Sequence, residues 1–294
     1  MTNLFSKIKL MVEGVEKMLQ ATIEQSLIFA IMVLGVYISF RILNFPDMTV
    51  DGTFPLGAAI SAKLLTLGVN PYLTLLVALV AGAAAGAVTG LIHVKLKVKD
   101  LLAGILVMTA LYSVNLRVMG KSNIPLFEED NIFNTEYSMM ITIVVLILIS
   151  KFVLDYLLKT KFGFALKALG DNENLIVSLG LNEEKYKIYG LMIANAFVAF
   201  SGAVLAQYQG FADVGMGTGI IVIGLASIII GDTLFGKRRK LAGTTIVIIG
   251  SILYRGVIAV TLSMGMDASD LKLITSVIVI VILWIQKQKD KRRK

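Results

Sequence analysis

Side chains able to do covalent or metal chemistry are nearly absent from this chain. It has no cysteine and one histidine, His93, which removes disulfides, thiolate nucleophiles, Cys-His pairs and a conventional zinc site. No Ser, His and acid set can be assembled around a lone histidine in a predicted loop, so a hydrolase has no candidate centre. One nucleotide-binding spacing occurs, because Gly231-Asp232-Thr233-Leu234-Phe235-Gly236-Lys237 satisfies G-x4-G-K. Such a phosphate loop needs Ser or Thr next, to hold magnesium, and a strand before it; Arg238 and a membrane-length apolar run stand there instead. The chemistry left is that of binding and passage. Its candidates are polar groups inside apolar runs, namely Asn115, Asn195, Gln207, Arg255 and Lys63, together with the short acids Asp47, Asp51 and Asp213. A buried amide either bonds a neighbouring helix or lines a polar path. A buried arginine is costlier and calls for a wet interior or an acidic partner.

Membrane helices must hold these groups. With 294 residues, 56% hydrophobic composition and a mean hydropathy of +0.82, the chain is too apolar for a soluble domain. The formal charge of +8 does not mark a nucleic-acid partner, since Lys and Arg gather at the ends of apolar runs and read as topology signals. The beginning of the chain lacks the basic, apolar, small-residue order of a cleaved signal peptide and is expected to remain in the mature protein. Residues 1–22 read as an amphipathic helix through Leu4, Ile8, Met11, Val15 and Leu19, lying on the membrane or packed on the body. Residues 23–294 form the transmembrane domain. Spans are expected near 26–43, 53–67, 71–92, 101–119, 137–158, 188–207, 218–234, 241–262 and 271–285. The basic loops at Lys95–Lys99, Lys159–Lys187 and Lys237–Lys240 and the basic tail should share the cytoplasmic side. The fold class is all-α and polytopic, with about nine spans; if 53–67 re-enters there are eight, and the side on which residue 24 lies depends on that choice.

Three features break or tighten the helices. The first is Asn44-Phe45-Pro46-Asp47-Met48-Thr49-Val50-Asp51-Gly52-Thr53-Phe54-Pro55-Leu56-Gly57, whose prolines, glycines and acids interrupt an apolar region. Irregular backbone at membrane depth survives only beside protein or water. A second break, Gly210 to Thr218, echoes it at an offset of about 166 residues, Phe45-x-Asp47 with Gly52-Thr53 against Phe211-x-Asp213 with Gly217-Thr218, as an internal repeat in a transporter would. Gly82, Gly86 and Gly90 share one helix face and invite close packing. The sizeable internal polar segment is Lys159–Lys187. There Gly170-Asp171-Asn172 separates two short helical turns, Asp171 or Asn172 is placed to cap the second, and Gly180 to end it.

The run Ala165-Leu166-Lys167-Ala168-Leu169-Gly170-Asp171-Asn172-Glu173, with Ser178-Leu179-Gly180-Leu181-Asn182, resembles the cytoplasmic loop of ABC-importer permeases of the branched-chain amino acid and ribose type. The FPDxTVDGxFPLGA stretch is similar to one branch of them, which includes permeases linked to aromatic amino acids, tryptophan in particular. The resemblance covers nearly the whole chain after residue 20 and implies a type II importer-like fold with an inverted repeat. It makes Ala165, Ala168, Leu169, Gly170, Asp171, Asn172, Glu173, Leu179 and Gly180 a coupling helix seated in a groove of a separate ATP-binding subunit. It implies an extracellular solute-binding protein, a second permease copy, and a bacterial plasma membrane with the C-terminus in the cytoplasm. ATP and magnesium would belong to the partner, with no cofactor on this chain and no enzymatic activity of its own. Asp47, Asp51, Asn115, Asn195, Gln207, Asp213 and Arg255 are the pathway candidates, the two breaks lying one toward each side of the membrane. A secondary transporter or uncoupled channel is the rival reading; a secondary transporter would carry acids in mid-span.

Overall fold

The computed structural model describes residues 2–134, 139–236 and 241–263, with isolated positions (273, 276, 277, 280, 281 and 284) beyond them. The expected last span, the cluster at 237–240 and the basic tail therefore lie mostly or wholly outside the described residues. Helix α1, Thr2–Val36, continues through a π-helical stretch, Tyr37–Ile42. Then come α2, Val50–Leu65; α3, Pro71–Lys95; α4, Asp100–Met119; and strand β1, Asn123–Pro125. After these follow α5, Met139–Lys159; α6, Lys161–Asp171; α7, Glu173–Ser178; and α8, Glu183–Gln209. Strand β2, Phe211–Asp213, leads through a 3-10 turn, Val214–Gly217, into α9, Ile220–Phe235, and α10, Gly243–Ser263.

Seven segments among the described residues are long and apolar enough to cross a membrane: Met18–Ile42, Pro71–Lys95, Asp100–Met119, Met139–Lys159, Glu183–Gln209, Val214–Phe235 and Gly243–Ser263. The expected count of about nine is a slight overstatement, for two reasons. The last span lies outside the described residues, and α2 has only 16 residues, about 24 Å of helix against a hydrocarbon core of about 30 Å. Even so, α2 runs alongside α4 from end to end. Met48 lies against Gly104 near the start of α4, and Leu65 packs with Met119 at its end. The stretch 53–67 thus runs from one face of the bundle to the other without turning back. No break separates residues 1–22 from the first span, because residues 15–34 contain neither Gly nor Pro and the helix has no reason to stop; the side-chain pattern drawn through Leu4 to Val15 lies outside the described side chains.

Helix α8 is the central column, packed by α1, α2 and α3. The glycine seam of α3 faces it, and a Cβ on Gly86 would stand 2.2 Å from the Leu191 carbonyl oxygen. That distance admits hydrogen only, so the seam permits backbone-to-backbone contact. Lys95, Arg41 and the pair α6–α7 share one face of the bundle, joined by Lys95–Glu184 at 2.7 Å and Arg41–Asp232 at 3.6 Å. At the opposite face β1 and β2 pair antiparallel, Asn123 with Asp213 and Pro125 with Phe211, a small sheet that an all-α reading did not include. Tyr208 there donates to Glu24 at 3.0 Å, which puts residue 24 on the face opposite α6–α7. Helix α2 leaves the basic face and α9 returns to it, as an inverted repeat requires.

Candidate functional site

The first break is built residue by residue. The π-helical stretch ends where Asn44 takes φ of 53°, a left-handed turn that asparagine tolerates better than most side chains. Asp47 then accepts from the Thr49 amide at 2.9 Å and from Asn195 Nδ2 at 2.7 Å, starting α2 and tying it to α8. Both side chains are fully buried. The Thr49 and Thr89 hydroxyls meet at 2.7 Å, so the network also reaches α3. Asp47 and Asn195 therefore hold the broken helix to its neighbours.

One turn further on, Asp51 accepts from the amides of Gly219 at 2.9 Å and Ile221 at 2.8 Å. A carboxylate on α2 thereby supplies the cap that the first turn of α9 lacks in its own sequence, and its charge sits at the positive end of that helix. The two breaks, expected one toward each side, touch at this point, with Asp47 toward the basic face and Asp213 toward the other. Beside them Asn115 donates Nδ2 to the Gly52 carbonyl at 3.1 Å, while its Oδ1 is buried without a partner. Asp51, Asn115, Pro55, Met108, Tyr112 and the 3-10 turn line a half-open cavity of about 230 Å³.

The other pathway candidates are structural where the chain places them. Gln207 is buried and donates to Ser61 Oγ at 3.0 Å, Thr74 Oγ1 at 3.0 Å and the Pro71 carbonyl at 3.3 Å, while accepting from the Ile132 amide at 3.0 Å. Each polar atom of its side chain is bonded, and it knots α2, α3, α8 and the 126–134 loop together. Asp213 accepts from the Gly215 amide at 2.7 Å and shapes the 3-10 turn. Arg255 has no acidic partner among the described residues; it reaches Gln25 Oε1 at 3.3 Å and lies over the Phe29 ring at 3.8 Å. Lys63 is exposed in the last turn of α2. His93 sits in the last turn of α3 rather than in a loop, with Nδ1 2.9 Å from the Val98 carbonyl. Residues 231–235 are helical, which leaves no phosphate loop there.

Helices α6 and α7 divide the coupling-loop residues into two sets. Ala165, Leu169 and Ile176 are buried against the body, with Ala168 partly covered. A Cβ on Gly170 would stand 1.9 Å from the Ile42 carbonyl oxygen, so Gly170 serves contact with the first span rather than with an outside groove. Asn172 caps α7 by accepting from the Asn174 amide at 3.0 Å, and Gly180, at φ of 72°, ends it. Glu173 pairs with Lys187 at 2.7 Å, while Asp171 and Leu179 face outward. The outward apolar patch is Phe164, Leu175, Val177 and Leu179, which are 62%, 47%, 56% and 63% exposed. Sequence reasoning missed that division because the apolar residues of two short helices joined at Asn172 do not follow one periodicity.

Comparison with known proteins agrees with this architecture. Residues 18–284 match the family model described as the permease component of branched-chain amino acid transport systems. A tyrosine transport system permease protein of Clostridioides difficile is 51% identical over 88% of each chain. An uncharacterized protein of Rickettsia prowazekii is 36% identical over 91% of this chain and 97% of its own. A ribose import permease protein of Escherichia coli is 26% identical over 76% and 72%. Among solved structures, an inward-facing metal-chelate type ABC transporter aligns with a TM-score of 0.52 at 15% identity, covering 91% of this chain and 84% of that one, a likeness of fold alone. With its multi-pass bundle, buried broken helix and polar helix pair on the basic face, the chain belongs to the permease-component family of branched-chain amino acid transport systems, the membrane part of an ABC-type transporter.

Proposed function

We propose that this permease imports an aromatic amino acid, tyrosine first, driven by a separate ATP-binding subunit and supplied by an extracellular solute-binding protein. The observation that carries the substrate class is the 51% identity to a tyrosine permease over 88% of both chains. The patch of Phe164, Leu175, Val177 and Leu179 supports the docking half of the reading. These side chains are held outward by a buried underside and stand on helices otherwise polar on that face, the arrangement of helix-in-groove recognition. The basic face is then cytoplasmic in a bacterial plasma membrane, as is the C-terminus. ATP and Mg²⁺ reside on the partner, and two copies of this chain present two docking surfaces to two ATPases.

Reconstitution with the ATPase and binding protein in vesicles tests this: labelled tyrosine should accumulate only with ATP, and accumulation driven by an ion gradient alone would overturn it. Leu175→Asp with Leu179→Asp separates docking from folding. Each leucine buried in a groove contributes roughly 1.5–3 kcal/mol, so ATPase retention should drop at least about tenfold with membrane insertion normal. Unchanged retention would reject α6–α7 as the docking element. Gly170→Trp is unsuited to the purpose, since it would collide with Ile42 inside the body.

A further inference from the structure

The cavity between α2, α4 and the 3-10 turn gathers unsatisfied acceptors around Asp51 and Asn115, beside the hydroxyls of Tyr112 and Thr218. Asn115 is fully buried, and its orientation follows from chemistry: the Gly52 carbonyl 3.1 Å away can only accept, so the atom facing it is Nδ2 and the other is the oxygen. That oxygen, Oδ1, has no partner. Asp51 uses one lone pair on each carboxylate oxygen for Gly219 and Ile221, and a carboxylate has about four such sites. Pro55, four residues beyond Asp51 in α2, has no N–H to give to the Asp51 main-chain carbonyl, which lies where a Cβ on Gly217 would stand 2.0 Å away. Thr109 already donates its hydroxyl proton to the Ile105 carbonyl at 2.8 Å, so it too has only acceptor capacity left. A buried acceptor without a donor costs roughly 1–3 kcal/mol, and Asp51 has no cationic partner among the described residues, which favours a cationic ligand.

We propose that this cavity is a transit subsite for the substrate's primary ammonium group, whose three N–H donors answer Asn115 Oδ1 and the free lone pairs of Asp51. The inference rests on the importer reading above. A carboxylate ligand is disfavoured beside Asp51, so the amino acid enters amine first, with its side chain toward Met108, Pro55 and Tyr112. The site senses the amine and leaves side-chain selection to other components.

The naturally cysteine-free chain makes the test direct. Thr109→Cys in the full chain in nanodiscs should react with a small charged thiol reagent. Tyrosine and tyramine at millimolar concentration should slow that reaction at least threefold, whereas 3-(4-hydroxyphenyl)propionate, which lacks the amine, should leave it unchanged. Adding Asn115→Leu should abolish the protection while the unprotected rate stays the same, which separates ligand loss from misfolding. Equal protection by the propionate, protection by Na⁺ alone, protection that survives Asn115→Leu, no protection by either amine, or a cysteine out of aqueous reach would each overturn the subsite. ATP-driven tyrosine uptake persisting in any of those cases leaves the importer reading standing, and protection by amines without such uptake leaves the subsite standing and removes the importer.

Discussion

At the scale of single residues, polar groups in the bundle differ by how fully they are satisfied. Gln207 has a partner at each polar atom, so its removal is a stability event. Gln207→Leu leaves the Ile132 amide orphaned, at a cost of roughly 1–3 kcal/mol, and should lower the thermal midpoint of the purified permease by about 5 °C; a midpoint within a degree of wild type would contradict the assignment. Arg255 is the opposite case. Its contact with Phe29 and one long bond to Gln25 offset part of a desolvation cost of several kcal/mol, and apolar replacements of such groups are neutral or stabilising. Arg255→Met should therefore hold or raise the midpoint while sparing uptake. A loss of uptake at unchanged stability would restore Arg255 to the pathway.

At the scale of elements, helix contact here is set by where a side chain can be omitted. Gly86 in α3 has the Leu191 carbonyl at Cβ distance of 2.2 Å, whereas Gly256 in α10 has nothing within 4 Å. Gly86→Ala must push α3 off α8, an overpacking cost of typically 1–3 kcal/mol, and should reduce the yield of folded protein from membranes. Gly256→Ala should be silent or slightly stabilising, since alanine is favoured in helices by about 1 kcal/mol. Comparing the two by size-exclusion profile and thermal midpoint isolates packing from propensity. The breaks follow different physics: Asp47 starts α2 from inside its own loop, whereas α9 starts on a carboxylate borrowed from α2, so Asp51 couples the two halves of the molecule mechanically.

At the scale of the whole molecule, the two faces carry separate duties. Lys99→Cys and Glu128→Cys should be labelled from opposite sides of oriented vesicles, because the loop bearing Lys99 shares a face with α6–α7 while Glu128 follows β1. Labelling of both from one side would refute the topology. Symmetric closed assembly is the common outcome for homo-oligomers, so on the proposed importer reading crosslinking in native membranes should yield a product of twice the chain mass; monomer alone would reject the homodimer.

Several of these properties were written in the chain itself. Long apolar runs dictate membrane helices because no water is available to satisfy backbone groups elsewhere. The glycine seam of α3, the breaks at Asp47 and Asp213, the cap at Asn172 and the stop at Gly180 are local signals, and each appears where its residue type demands. Among the described residues, the basic loops at Lys95–Lys99 and Lys159–Lys187 lie on one face, as their spacing suggested. Tertiary structure decided what depends on distant partners. It tied Gln207 into a knot of three helices, turned Ala165, Leu169 and Gly170 inward, and exposed Phe164, Leu175 and Val177 beside Leu179. It also brought Asp51 to the start of α9, 168 residues away in sequence. A residue's type fixes how many hydrogen bonds it can make, but whether they are already made is settled only when the helices pack, and that is why Asn115 retains an unpartnered oxygen while Gln207 has none.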